Sequence, residues 1–202
     1  MLEFLFSQYK NYTDLDIFLE LTTVLFALIS VYFAKKNNIL LYPAGIINTA
    51  IYVYLLWKWN LIGDMIINCY LFLMSIYGWI IWGLKKNGKH SYSISRTSQK
   101  EYYTSLIIFF TTIILTILIY IYFGKFTHWT NYLDTLVTGL LFVGMYLLAK
   151  RKIENWIFLI IADLISVPMY FVKGYTFSSI LYLSLTIIAI YGYREWKKKL
   201  QQ

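Results

Sequence analysis

Seven long apolar segments, separated by short clusters of charged residues, constrain this chain more than any other feature of its sequence. A membrane-spanning helix needs about 20 largely apolar residues, and the segments have about that length. Only 14% of the residues are charged, against about 25% in soluble domains. The sequence therefore predicts an all-α integral membrane protein with seven transmembrane helices. The predicted spans are Asp16–Ala34, Ile39–Trp57, Leu61–Leu84, Tyr102–Phe123, Tyr132–Ala149, Ile153–Val172 and Tyr175–Tyr193.

The basic residues predict how these spans are oriented. Of the 18 lysines and arginines, 14 lie in the connections after the first, third and fifth spans or after the seventh. Because cytoplasmic loops are rich in Lys and Arg, this distribution places the C-terminus in the cytoplasm and the N-terminus outside. Anionic membrane lipid accounts for the formal charge of +8, and we expect no nucleic-acid partner.

An internal repeat divides the chain. Ala34–Asn48 aligns with Ala149–Asp163 at an offset of 115, and Ile76–Trp82 aligns with Ile190–Trp196 at an offset of 114. Spans 1–3 are thus predicted to resemble spans 5–7, in a 3+1+3 parallel repeat that looks like the SWEET-type arrangement. Transporters built from parallel repeats bind their solute between the halves. The predicted units are an interfacial segment (1–15), a three-helix repeat (16–84), a cytoplasmic loop (85–101), a linker helix (102–123), a second three-helix repeat (132–196) and a basic cytoplasmic tail (197–202).

Two polar residues are predicted near the middle of the membrane. Asn48 lies between Lys36 and Lys58, and Asp163 occupies the matching position of the second repeat. Polar groups in hydrocarbon are costly, so they commonly mark a substrate pathway. The alternative is that both side chains bond neighbouring helices as structural contacts.

Other polar and aromatic side chains could line the same cavity. The candidate substrate-binding residues are Asn48, Asn68, Trp79, Thr138, Trp156, Asp163 and Tyr182. Amides, a carboxylate, hydroxyls and aromatic rings together suit a small, polar, aromatic solute. Five other tryptophans lie close to loop charges and are predicted to sit in the interfacial belts. These are Trp57, Trp59, Trp82, Trp129 and Trp196. For Trp156, a belt role and a stacking role remain open.

Catalytic and metal chemistry find no support in the sequence. The single cysteine, Cys69, excludes a disulfide framework and a multi-cysteine metal site. His90 and His128 fall in loops on opposite sides of the membrane, and no Ser-His-Asp set can form at one depth. We therefore expect no enzyme activity, no cofactor and no metal site. A proton-relay role for Asp163 or Glu20 remains open, because isolated carboxylates in membranes can act in this way.

Three stretches resemble a known family. They are YPAGIINTAIYVYLLWKWNLIGDMIINCYLFLMSIYGWIIW, LLAKRKIENWIFLIIADLISVPMYFVKGYTF and IYGYREWKKK. Together they look like the PnuC family of bacterial vitamin transporters, best known for nicotinamide riboside. The family motif in the sixth span is W-x-x-W; Trp156 matches its first tryptophan, and Leu159 stands in place of the second. Asn68 matches a motif asparagine.

The resemblance implies a homotrimer of seven-helix protomers in the bacterial inner membrane. It also implies facilitated diffusion of nicotinamide riboside, with trapping by intracellular phosphorylation. Because Leu159 removes one aromatic wall, thiamine and riboflavin remain alternative substrates. A second alternative is a non-transport role as a membrane sensor or assembly protein.

Overall fold

The described part of the chain contains seven helices and one short hairpin. The computed structural model describes residues 12–59, 62–86, 89–90, 93–124, 126, 128–174 and 176–201. Its elements are α1 (Asp14–Lys35), α2 (Leu41–Lys58), α3 (Ile62–Gly83), β1 (Lys85–Lys86), β2 (Lys89–His90), α4 (Gln99–Tyr122), α5 (Thr130–Ala149), α6 (Asn155–Val172) and α7 (Thr176–Leu200). Each predicted span corresponds to one helix. The predicted interfacial segment lies mostly outside the described residues.

Local hydrogen bonds move some helix ends away from their predicted positions. α4 begins at Gln99, ahead of the predicted linker helix, because Ser98 and Glu101 form a capping box that satisfies its first N–H groups. Thr13 and Asp16 form the same motif at the start of α1. At the other end of the chain, the lysines predicted to form a tail belong to the last turns of α7.

Membrane insertion is consistent with the helix compositions. Five of the helices in the described part are long and apolar enough to cross a membrane, namely α1, α3, α4, α5 and α6. Large apolar side chains are exposed along them, for example Leu73 on α3 and Ile107 on α4. Such side chains cover the outside of a bundle whose solvent is lipid.

Six of the helices form a closed ring. α1, α2 and α3 pack side by side, and so do α5, α6 and α7. The two triplets meet at two seams, where α3 packs against α5 and α7 packs against α1. In this ring α2 and α6 lie on opposite sides, while α4 lies outside and packs mainly on α5.

Structural landmarks recur in the two triplets at a constant offset of 114 residues. α1 ends at Lys35 and α5 ends at Ala149, while α2 and α6 both contain 18 residues and begin at Leu41 and Asn155. The turn after α1 has a left-handed residue at Asn37, and the turn after α5 has one at Arg151.

This offset corrects the predicted pairing of Asn48 with Asp163. At 114, Asn48 corresponds to Ala162, and Asp163 corresponds to Thr49. A shift of one residue moves a side chain only about 1.5 Å along a helix but turns it by about 100° around the axis. The two polar residues therefore lie at nearly equivalent depths but point from different faces of their helices. The error arose because the alignment followed the lysines of the loops, whereas the left-handed residues fix the turns.

Candidate functional site

Two tryptophans close the seams at the end of the ring where α1, α3, α5 and α7 carry their C-terminal turns. Trp82 on α3 donates its indole N–H to the carbonyl of Ala149 on α5 at 3.2 Å. Trp196 on α7 donates to the carbonyl of Ala34 on α1 at 3.0 Å. Each bond joins the third helix of one triplet to the first helix of the other. We call these two bonds the tryptophan latches.

The latches correct the predicted belt positions of both tryptophans. Trp82 and Trp196 are only 1% and 0% exposed, and neither lies on the lipid-facing surface. By contrast, Trp57 and Trp129 are exposed, as a belt position requires. Proximity to lysines in the sequence could not distinguish the two cases, because the acceptors for the buried indoles come from distant helices.

Two glycines make room for large aromatic rings beside the latches. Tyr42 on α2 packs against Gly78 on α3, and Trp156 on α6 packs against Gly192 on α7. A Cβ at Gly192 would lie 2.6 Å from the Trp156 ring, closer than any real contact. The Tyr42 ring meets Trp82 edge-on, and the Trp156 ring meets Trp196 in the same way. This aromatic cluster fills the ring at that end.

Arg151 adds a positive charge to the aromatic cluster. Its guanidinium lies 4.0 Å from the centre of the Trp82 ring, within the range of a cation–π interaction. Burial lowers the pKa of Arg151 from its usual value, and the Tyr42 hydroxyl nearby acts in the opposite direction. The guanidinium keeps its charge, since its usual pKa is above 12.

The connection that leads into α4 is bonded to the turn between α5 and α6. Ser95 donates its N–H to the carbonyl of Arg151 at 3.1 Å and accepts from the N–H of Ile153 at 3.0 Å. Thr97 donates both its N–H and its hydroxyl to the Glu154 carboxylate, at 2.9 and 2.7 Å. α4 is thereby fastened to the second triplet.

One stripe of α6 faces α7 along most of its length. Trp156, Asp163 and Tyr170 are spaced seven residues apart, and so share this face. Tyr182 on α7 stacks on Tyr170, with ring centres 5.0 Å apart and planes inclined by 13°. The hydroxyls of the two tyrosines lie close enough to act on each other, and the Tyr182 hydroxyl lies within electrostatic range of the Asp163 carboxylate.

Asp163 is buried between these aromatic residues. It is 5% exposed. Within the described residues its carboxylate has no hydrogen-bond donor and no cation at ion-pair distance. Trp156 is fully buried, and its indole N–H likewise finds no acceptor there. A polar ligand could satisfy both groups.

At the opposite end of the ring, charged residues join the helices of each triplet. Lys58 at the end of α2 binds Asp16 on α1 at 2.6 Å. Lys173 after α6 forms an ion pair with Asp134 on α5. Asp134 and Asp64 both act electrostatically on the stacked pair Tyr170–Tyr182.

The other predicted site residues form no hydrogen bond or ion pair with Asp163 among the described residues. Thr138 donates its hydroxyl to the carbonyl of Asp134 on its own helix, and Asn68 donates its amide to the carbonyl of Asp64. The Asn48 side-chain oxygen is enclosed without a donor among the described residues. Trp79 is 45% exposed, on the outer surface of α3.

Leu159, which replaces the second motif tryptophan, packs toward α5. A Cβ at Gly144 on α5 would lie 2.8 Å from Leu159 Cδ2, so the two helices approach closely at this point. Leu159 therefore belongs to the α5–α6 contact, whereas Trp156 faces α7.

The sequence prediction missed several residues of this site. The contact of Tyr42 with Gly78 and its equivalence to Trp156 are not predicted, because the predicted repeat is aligned one residue out of register. Gly78 and Gly192 are part of the repeated IYG motif, which was the signal that could have predicted two close contacts. Arg151 was counted only as a loop charge.

Comparison with known proteins identifies the family. A family model described as nicotinamide mononucleotide transporter matches residues 17–198. The chain belongs to the nicotinamide mononucleotide transporter family. It is a multi-pass membrane protein of a transporter family, and the PnuC-type resemblance predicted from the sequence is confirmed.

The relatives of this family member differ in what they carry. The nicotinamide riboside transporter PnuC of Escherichia coli is 22% identical over 190 residues, covering 81% of this chain and 78% of that protein. The riboflavin/roseoflavin transporter RibM of Streptomyces davaonensis is 31% identical over 68 residues, covering 34% of this chain and 32% of RibM. A crystal structure of the vitamin B3 transporter PnuC has the same fold, with a TM-score of 0.69 and 19% identity over 99% of this chain and 89% of that chain.

Proposed function

We propose that this chain mediates facilitated uptake of nicotinamide riboside, which is then trapped by intracellular phosphorylation. The observation that carries the proposal is the buried Asp163 carboxylate between the aromatic residues of α6 and α7, inside a ring of six helices. Such a combination suits a small ligand with a flat ring and polar substituents. The match to E. coli PnuC along most of the chain supports the same substrate.

A second substrate is favoured by one specific observation. The similarity to RibM supports riboflavin as an alternative, and thiamine remains the third vitamin to test. All three are flat heteroaromatic rings with polar attachments, so ring stacking alone does not separate them.

The proposed mechanism treats the two triplets as two bundles in a 3+1+3 parallel repeat. The landmarks 114 residues apart support this arrangement. The left-handed turns, the glycines that contact an aromatic ring and the tryptophan latches all occur twice. α4 moves with the second bundle, because its N-terminal connection binds Glu154 and because Lys152 forms a 2.9 Å ion pair with Glu101. Rocking of one bundle against the other would alternately open the two ends of the ring.

In this mechanism the latched end is the cytoplasmic end. The turns beside the latches carry the basic residues, which supports a cytoplasmic C-terminus and an external N-terminus. Release of the solute into the cell then requires both tryptophan latches to break. The homotrimer implied by the resemblance remains part of the proposal, and the exposed apolar face of α4 is available for lipid or for a neighbouring protomer.

Uptake into proteoliposomes tests the proposed function. We expect labelled nicotinamide riboside to equilibrate without ATP or an ion gradient, and to accumulate only when a nicotinamide riboside kinase and ATP are enclosed. Thiamine and riboflavin are measured in parallel, and vesicles without protein provide the control.

Uptake of riboflavin alone would replace the proposed substrate with the alternative. Uptake of none of the three would refute the vitamin-transport proposal and favour a sensor or assembly role. A protonophore that abolishes uptake without a kinase would contradict facilitated diffusion.

A further inference from the structure

Asp163 differs from Asp16 and Asp134 in having no positive partner among the described residues. Asp16 is matched by Lys58, and Asp134 is matched by Lys173. Asp163 is more deeply buried than Asp134, yet no lysine or arginine in the described residues reaches its carboxylate. A buried, ionised carboxylate is destabilising unless a cation or several hydrogen-bond donors compensate it.

The surroundings of Asp163 are suited to a flat cation. The Tyr182 hydroxyl lies within electrostatic range of the carboxylate, and the ring of Tyr182 stacks on Tyr170. Trp156 lies on the same face of α6, seven residues before Asp163, and its indole N–H lacks an acceptor in the described part. Aromatic faces attract cations because of the negative potential of their π systems, most strongly where water is excluded.

We infer that the Asp163 carboxylate is the counter-ion for a positively charged heteroaromatic ring of the transported solute. This inference rests on the proposed transport function and specifies the chemical class of its substrate. The charge must be permanent, as in an N-alkylated pyridinium or thiazolium ring. The solute completes an ion pair that the described residues do not supply, and a neutral ring of the same shape makes no such pair.

The inference ranks the candidate vitamins by charge. Nicotinamide riboside carries a pyridinium cation and thiamine carries a thiazolium cation, whereas the isoalloxazine ring of riboflavin is neutral. Transport of the first two is compatible with Asp163 as a counter-ion. Riboflavin would instead be disfavoured, although it shares the flat shape.

Matched pairs of cationic and neutral ligands test the inference directly. Purified full-length protein is titrated with nicotinamide riboside and with its neutral 1,4-dihydro form, then with thiamine and with its neutral isostere 3-deazathiamine. We expect at least one cation to bind about tenfold or more tightly than its neutral partner, a difference expected when one member of a buried charge pair is removed. In Asp163→Asn this preference should fall to about one, and in Asp163→Glu it should largely persist.

Control variants separate a local counter-ion from a general effect of charge. Glu20→Gln removes another carboxylate from a helix of the ring, and we expect it to leave the cation-to-neutral ratio within about twofold. Circular dichroism and size-exclusion profiles establish that each variant is folded. If Asp163→Asn does not fold, equal affinity of the unmodified protein for both members of each pair would still overturn the inference, and Asp163→Glu compared with Glu20→Gln would test the assignment to Asp163.

The outcomes distinguish failure of the inference from failure of the proposed substrate. Equal affinity for both members of each pair, or an unchanged ratio in folded Asp163→Asn, overturns the inference. An equal loss of preference in Glu20→Gln also overturns the assignment to Asp163. Binding of thiamine in preference to 3-deazathiamine, without binding of either nicotinamide ligand, refutes the proposed substrate and supports the counter-ion. Binding of riboflavin alone overturns both.

Discussion

Trp196 donates its indole N–H to the carbonyl of Ala34 at 3.0 Å, although the two residues are 162 positions apart in the chain. The bond joins the last helix to the first and thereby closes the ring. Trp82 and Ala149 make the equivalent bond at the other seam. The same end of the molecule is therefore held shut twice by one type of contact.

The contribution of a latch can be measured by removing its donor. We expect Trp196→Phe to lower the free energy of unfolding by about 1–3 kcal/mol, because the Ala34 carbonyl loses its partner in a buried position. Trp156→Phe is the matched control, since Trp156 is equally buried but its N–H has no acceptor among the described residues. Denaturant titration in detergent would show the larger loss for Trp196→Phe. Equal losses would mean that ring size, and not the hydrogen bond, determines the effect.

The close contact between Gly192 and the Trp156 ring predicts that one added methyl group at position 192 lowers the stability of the protein. Gly192→Ala should destabilise the protein by about 1–3 kcal/mol, because the added Cβ would overlap the Trp156 ring. The control is Gly83→Ala, where an added Cβ meets nothing within 4 Å and the expected change is within about 0.5 kcal/mol. The double variant with Trp156→Phe should recover part of the loss, as measured by thermal unfolding. Purely additive losses would contradict a direct contact.

The Asp134–Lys173 ion pair predicts a charge-swap rescue. Asp134→Asn should cost about 1–3 kcal/mol, less than a fully buried pair, because both side chains keep some exposure. The variant with Lys at 134 and Asp at 173 should recover most of that loss, since the opposite charges face each other again. Asp14→Asn, at an exposed site, is the control. Unfolding titrations would contradict the prediction if the swapped variant were less stable than Asp134→Asn.

The packing of Leu159 against α5 predicts how the family tryptophan at position 159 would affect stability. Leu159→Trp should destabilise the protein by about 1–3 kcal/mol, because Leu159 packs closely on α5 at Gly144 and a larger ring there would push the two helices apart. Leu159→Met conserves the volume and should cost less than about 1.5 kcal/mol. Equal thermal stability of Leu159→Trp and the unmodified protein would show that α5 and α6 can separate at this point.

The helices and their order could be predicted from the sequence because they depend on local properties. A long apolar run between charged clusters predicts a helix of membrane length whatever lies beside it. Helix ends were predicted less well, since Ser98 and Glu101 extend α4 through a capping box outside the apolar run. The family could also be recognised, because its motifs are short and continuous.

The candidate site could be predicted only in part. Trp156, Asp163 and Tyr182 are predicted from their residue types, and the structure places Asp163 and Tyr182 within electrostatic range of each other. Their role in binding remains a prediction. Trp79 is predicted to line the cavity from its residue type, but residue type does not tell which face of α3 meets the ring and which is exposed.

The sequence by itself determined seven apolar helices, their charge asymmetry and the family, since each follows from the residues along a single segment. Only the tertiary structure decided the register of the two triplets, the burial of Trp82 and Trp196, and the lack of a counter-ion for Asp163 among the described residues. These properties depend on which distant helix supplies a hydrogen-bond acceptor, a glycine that leaves room for a ring, or a charged side chain. Such a residue comes into contact with its partner only when the six helices close into a ring.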